Sequence, residues 1–128
     1  MAEISNYLEN ALINGTLRAT SYTAPTTTFL ALYTNDPTDA DTGTEVTGGS
    51  YVRQAITFSA PSGGATWNSS AIEFPQCTAD WGTVTHIGIR DAVTTGNLLY
   101  HSALDTSKVI ANGDIFKITA TNLSVTLA

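Results

Sequence analysis

The sequence predicts an all-β fold: an antiparallel β-sandwich, jelly-roll-like, with one short N-terminal helix, in a single domain over residues 1–128. Three observations carry this. Threonine contributes 22 of 128 residues, and its β-branched side chain favours pleated backbone over helix. Several short segments alternate apolar and polar side chains, the period of a half-buried strand. Turn-forming pairs such as Asn-Gly, Gly-Gly and Pro-Ser separate these segments at short intervals, the spacing of a sandwich with about seven or eight strands.

The N-terminal segment is the exception to the β pattern. Ile4, Leu8 and Leu12 recur every fourth residue, with Tyr7 and Ala11 on the adjacent row, so residues 2–14 read as a helix. Glu3 then falls in the first turn, where the helix dipole favours a carboxylate. Asn14-Gly15 supplies a stop, since glycine takes the left-handed cap conformation. Such a helix either lies over the β core or extends as an arm onto a neighbouring subunit.

Residues 27–34 (TTFLALYT) form a nearly continuous apolar run between Pro25 and Asn35-Asp36-Pro37, the pattern of a strand buried on both faces. Tyr51 to Phe58 alternates, with Val52, Ile56 and Phe58 on one side. Pro61-Ser62-Gly63-Gly64 breaks the chain, and Ala71–Phe74 is a short strand stopped by Pro75. The segment from Asp80 to Asp91 is the expected central strand. In it Thr85, Ile87 and Ile89 alternate against Val84, His86, Gly88 and Arg90. Further strands follow at Leu98–Leu104, Ser107–Ala111, Ile115–Thr119 and Leu123–Leu127, with Asn112-Gly113 as a hairpin turn.

Composition narrows the classes of function. The five basic residues, Arg18, Arg53, Arg90, Lys108 and Lys117, are scattered, and the net charge is −6. Phosphate recognition needs clustered positive charge, so no nucleic-acid partner is expected. No apolar run approaches the roughly 20 residues that span a bilayer, and the first residues lack the basic region of a secretory signal. Neither a membrane nor a secretion role is expected. Cys77 is the sole cysteine, which excludes an internal disulfide and a cysteine-based zinc site and suits a reducing cytoplasm. Charged residues make up 12% of the chain against about 25% in ordinary globular proteins. The surface is therefore built from Thr, Ser, Asn and Gly, or is partly covered by a partner.

Four features invite a reading as sites. The acidic stretch Asn35–Glu45 offers oxygen ligands for a hard cation, but counting from Asp36 places Asp41 at the sixth position and Thr47 at the twelfth. A calcium loop needs Gly and Glu there, so the stretch reads as a solvated connection, with Gly48-Gly49 adding mobility. His86 and His101 sit in strands without a second His or Cys at ligand spacing, so each reads as a strand histidine with one hydrogen-bond partner. No serine lies in a Gly-x-Ser-x-Gly elbow, and no phosphate loop or dinucleotide fingerprint occurs. Trp67 and Trp81 could form a sugar-stacking platform, although tryptophans in β-sandwiches are more often core or rim residues. The residues therefore predict no catalytic, cofactor-binding or metal-binding site, no cofactor and no enzyme activity.

Across nearly its whole length the chain resembles a family of small virion proteins of tailed bacteriophages, described as tail-fibre-like or head-decoration proteins. The resemblance is carried by Thr23-Ala24-Pro25, by Leu30-Ala31-Leu32-Tyr33-Thr34-Asn35-Asp36-Pro37, and by Gly43-Thr44-Glu45-Val46 leading to Gly48-Gly49-Ser50-Tyr51-Val52-Arg53-Gln54. Its most distinctive pieces are Ala79-Asp80-Trp81-Gly82-Thr83-Val84-Thr85-His86-Ile87-Gly88-Ile89 and Gly96-Asn97-Leu98-Leu99-Tyr100. The resemblance implies a non-enzymatic structural protein of the virion, made in the host bacterial cytoplasm. The main expectation is a capsid decoration (cement) protein that forms a homotrimer and binds the major capsid protein. One short domain without a shaft motivates that placement. The alternative is a tail-fibre or baseplate component whose partners are tail proteins.

Overall fold

In the computed structural model, which describes residues 2–127, the chain is built mainly from antiparallel strands with a single helix. In order they are β1 (Glu3–Ile4), α1 (Asn6–Leu17), β2 (Thr28–Tyr33), β3 (Gln54–Ile56), β4 (Ala65–Trp67), β5 (Ile72–Glu73), β6 (Gly82–Arg90), β7 (Leu98–Ile110), β8 (Lys117–Ile118) and β9 (Ser124–Thr126). Five strands form one sheet in the order β1-β7-β6-β2-β3, while β4 pairs with β9 and β5 with β8 as two-stranded ribbons. A single cluster of buried side chains joins the sheet to both ribbons. It draws Leu30 and Leu32 from β2, Ile87 and Ile89 from β6, Ile72 from β5 and Val125 from β9. The sheet and the ribbons thus share one core, and the strands outside the five-stranded sheet form two separate ribbons where a jelly roll would have a continuous sheet.

The segment expected to be central, β6, is the middle strand of the five. β2 pairs along it from Phe29↔Arg90 to Tyr33↔His86. Leu30, Ala31, Leu32 and Tyr33 are all fully buried, as the unbroken apolar run requires of a strand covered on both faces.

The face pattern of β6 departs from strict alternation. Val84, three residues before Ile87, joins Ile87 and Ile89 in the core, although a regular strand would place it on the other face. A register shift accounts for this. The two-residue step from Val84 to His86 is matched on β7 by the five-residue step from Lys108 to Ala103, and a smaller shift follows between Ile89 and Arg90. Such irregularities re-aim side chains where a ladder is interrupted. They also explain why the two strands expected at 98–104 and 107–111 are one irregular strand of 13 residues.

The helix begins and ends three to four residues later than its apolar spacing suggested. Ser5 is the N-cap and accepts from the Leu8 N–H, while Leu8 is the sole buried helical residue. Ile4 and Glu3 lie in β1, paired with Tyr100 and His101 of β7. Glu3 is therefore not a first-turn carboxylate, and Gly15 lies inside the helix.

The turn at Asn112-Gly113 also differs in role. The Asp114 N–H donates to Ala111 O at 2.9 Å, and Gly113 alone of the central pair has positive φ, at 96°. That is the geometry of a type II turn rather than a hairpin turn. Accordingly β8, which follows, pairs with β5 and not with β7. The strand β4 had no sequence signal, because it follows Gly63-Gly64 and has only three residues.

Candidate functional site

One end of the sheet carries the densest polar chemistry of the molecule. Two arginines organise it, and the sequence marks each only as an isolated charge. Arg53 precedes β3 and Arg90 ends β6. Both are buried. Arg53 binds Glu45 through two parallel bonds, Nε to Oε2 at 2.8 Å and Nη2 to Oε1 at 2.7 Å. Its Nη1 donates to the carbonyls of Ala92 and Thr95, each at 2.8 Å. Arg90 binds Asp41 in the same bidentate way, both bonds 2.8 Å. It also donates to the Tyr33 hydroxyl, Thr95 O and Gly96 O.

This arrangement matches the fork geometry that suits arginine, not lysine, for buried carboxylate pairs. It ties two loops, residues 34–52 and 91–97, to the same sheet end. Glu45 raises the pKa of Arg53 above its ordinary value. Burial works against the charge of Arg90, but Asp41 and Tyr33 outweigh it and raise its pKa as well. Tyr51 donates from its hydroxyl to Glu45 Oε2 at 2.6 Å and accepts from the Leu32 N–H at 3.0 Å. Burial, followed by the Glu45 carboxylate, pushes the Tyr51 pKa far upward. Burial likewise raises that of Tyr33, although Arg90 counters it.

The acidic stretch 35–45 is thus a clamped connection. Asp41 and Glu45 turn to separate arginines while Asp36 and Asp39 both lie near His101, so the four do not converge on one point as a calcium loop requires. Asp36 caps the Thr38 N–H at 2.8 Å, Asp39 reaches His101, Asp41 reaches Arg90 and Glu45 reaches Arg53. Gly48 is exposed, as the sequence suggested, but Gly49 is covered, contrary to expectation. Gly49 accepts from Trp81 Nε1 at 2.9 Å, and a Cβ there would stand 2.7 Å from Ala79 O and 2.8 Å from Trp81 Nε1. The glycine is required because the tryptophan lies directly on the backbone.

Trp81 is 5% exposed and Trp67 38%. Trp81 packs edge-on against Tyr51 and Phe74, at centroid distances of 5.4 and 6.2 Å. It belongs to the core, so the two tryptophans do not make a sugar platform. Gly88 permits a close approach, since a Cβ there would stand 2.8 Å from both Leu98 Cδ1 and Tyr33 Cε2. At Gly82 nothing lies within 4 Å, and its φ of +85° is what demands glycine.

The histidines bond to different partners. His86 is half-buried, with Nδ1 2.8 Å from the Thr85 hydroxyl. His101 is 3% exposed, and its Nε2 lies 2.7 Å from Asp39 Oδ1. On its other side, Nδ1 lies 3.5 Å from Glu3 Oε2 and 3.8 Å from Asp36 Oδ1. Sequence reasoning missed this gathering because the acids stand 62 to 98 residues away and arrive through β1 and the clamped loop. Nothing in local spacing signals such a site.

No helix among the described residues is long and apolar enough to cross a membrane. Among curated proteins, none matches the chain. Compared with protein families, residues 3–126 match one described as Podophage GP4 fiber I protein gp80. The matched range takes in every element of the fold, both arginine clamps and the His101 cluster. The chain belongs to this gp80 fiber family, and with it to the structural proteins of the tailed-phage virion.

Proposed function

We propose that this protein is a non-enzymatic building block of a podophage fibre, held in the virion by contacts with copies of itself and with tail proteins. The observation that carries the reading is the family match over residues 3–126. The family's description as a fiber protein favours the tail-fibre placement over the capsid-cement one. It offers no support for the major capsid protein as partner. A structural role also suits the polar chemistry. Arg53 and Arg90 spend their hydrogen bonds on carboxylates and loop carbonyls, which makes a rigid loop surface instead of a reactive pocket.

Exposed apolar side chains offer contact points to neighbours. Leu17 and Ile13, one turn apart on α1, are 79% and 52% exposed, and Val109 of β7 is 71% exposed. A symmetric assembly would bury them. Homotrimerisation is the form we expect, and light scattering on the purified chain checks it. Cryo-electron microscopy of the virion tests the placement. Density for this fold in an appendage is the expected result, while density confined to the capsid shell would overturn the fibre reading and restore cementing.

A further inference from the structure

We propose that α1 is an assembly helix: its outward stripe of Asn10, Ile13 and Leu17 packs against the same stripe of α1 in other copies of the chain, as a short parallel coiled coil. This rests on the self-association proposed above and names the surface that carries it. Among the described residues Leu17 is the most exposed large apolar side chain, and Ile13, one turn before it, is also exposed. Asn6, Asn10, Ile13 and Leu17 are separated by four, three and four residues, the spacing of the d, a, d and a positions of a heptad. The opposite positions b, c and f fall to Ala11, Leu12 and Leu8. Leu8 is buried and the other two are half-buried, so the inner side of α1 is used against its own subunit and the seam faces away from it.

The chemistry of the seam points to an identical helix as its partner. Asn10 takes an a position, and its amide both donates and accepts, so Asn10 of the partner subunit satisfies it. A single asparagine at an a position sets register in such coils at a cost in stability. Leu17 at a with Ile13 at d favours three or four strands over two, in keeping with the trimer expected above. Charge does not oppose the packing. Glu9 is the sole charged residue of α1. It takes a g position, and parallel packing sets it beside Asn14 of the partner subunit at e, so no like charges meet.

A free peptide of this length would not hold such a seam, because isolated helices shorter than about 12–15 residues are marginal in water. Within the subunit the helix is already formed. Ser5 caps it by accepting from the Leu8 N–H, and its own hydroxyl donates to Leu98 O. Leu8 is buried beneath it. Association therefore orders little that is not ordered beforehand, which removes much of the usual cost of binding.

The test follows the mass of the full chain by sedimentation equilibrium. Asn10 is exposed and its side chain makes no hydrogen bond among the described residues, so Asn10→Ile keeps the fold while completing the apolar seam. Self-association should tighten about 10-fold or more, with three- and four-chain species mixed as the polar register signal is lost. In a second arm, Ile13→Cys should form interchain disulfides under mild oxidation, whereas Arg18→Cys, at a b position off the seam, should not. The native Cys77 is buried and stays silent. Unchanged association of Asn10→Ile, or cross-linking of Ile13→Cys no faster than that of Arg18→Cys, overturns the proposal. Neither readout depends on where the protein sits in the virion. A capsid location would refute the fibre reading and leave the seam standing, and failure of these two arms would refute the seam alone.

Discussion

The Glu45→Gln substitution tests the clamp most directly. Glu45 Oε2 accepts from both Arg53 Nε and the Tyr51 hydroxyl, and Oε1 accepts from Arg53 Nη2. Glutamine keeps the shape and one oxygen, but it sets an NH₂ donor against at least one of those donors and leaves Arg53 without its counter-charge. The Arg53 side chain is 7% exposed and that of Glu45 21%. Breaking a buried pair on one side costs about 3–5 kcal/mol. Arg53 Nη1 retains the Ala92 and Thr95 carbonyls and Glu45 is partly solvated, which places the loss at the lower end, about 3 kcal/mol.

For a chain of 128 residues that loss lowers Tm by about 10 °C. Urea unfolding followed by tryptophan fluorescence gives the free energy by linear extrapolation, and Trp81, buried beside Tyr51, supplies the signal. A double-mutant cycle with Arg53→Met isolates the pair, with an expected coupling of about 2 kcal/mol. The Glu45→Leu, Arg53→Met double variant should be more stable than Glu45→Gln, because no buried charge is left without a partner. If Glu45→Gln unfolds within about 0.5 kcal/mol of the parent, the clamp does not hold these loops and the reasoning fails.

Other perturbations test separate parts of the structure. Gly88→Ala should destabilise by about 1–3 kcal/mol through overpacking, since its Cβ meets the buried Tyr33 ring and Leu98; an unchanged urea midpoint would mean the strands separate freely there. Ser5→Ala removes the N-cap acceptor of Leu8 and the donor to Leu98 O, at a cost of about 1–2 kcal/mol, and amide exchange in the first helical turn should rise while the sheet is unaffected. Tyr33, Tyr51 and Tyr100 have pKa values raised from 10.0, chiefly by burial. The native state therefore holds protons that the unfolded chain releases, so their contribution is complete below pH 10 and falls as pH rises beyond it. Tyr51→Phe should flatten that alkaline loss, as read by urea unfolding between pH 8 and 11. Leu17→Ser, at a side chain 79% exposed, should leave the monomer's stability unchanged but reduce self-association in light scattering; unchanged association would remove α1 from the proposed contact surface.

Much of the fold is legible in the amino-acid order because it depends on local periodicity. The apolar run 28–33 could only be a doubly covered strand, and the alternation around Ile87 and Ile89 marked the strand that became the centre of the sheet. Scattered charge and a lone cysteine narrowed the chemistry, and the order of motifs around Trp81 pointed to the virion. The same local signals misplaced the helix ends. The Ile4/Leu8/Leu12 spacing could not show that Ile4 would be claimed by pairing with Tyr100, or that Ser5 would cap a helix beginning one residue later.

What only the tertiary structure decided is every feature that depends on distant residues meeting. Val84 reaches the core through a register shift set by β7. Arg53 and Arg90 read as isolated charges until Glu45 and Asp41 fold against them. His101 acquires Glu3, Asp36 and Asp39 from two segments far along the chain. Side-chain periodicity is a property of neighbours in sequence, whereas ion pairing and burial are properties of neighbours in space. That is why the composition of the chain could name its class of fold, while the clamps that stiffen it and the carboxylates around His101 appear only when the sheet has formed.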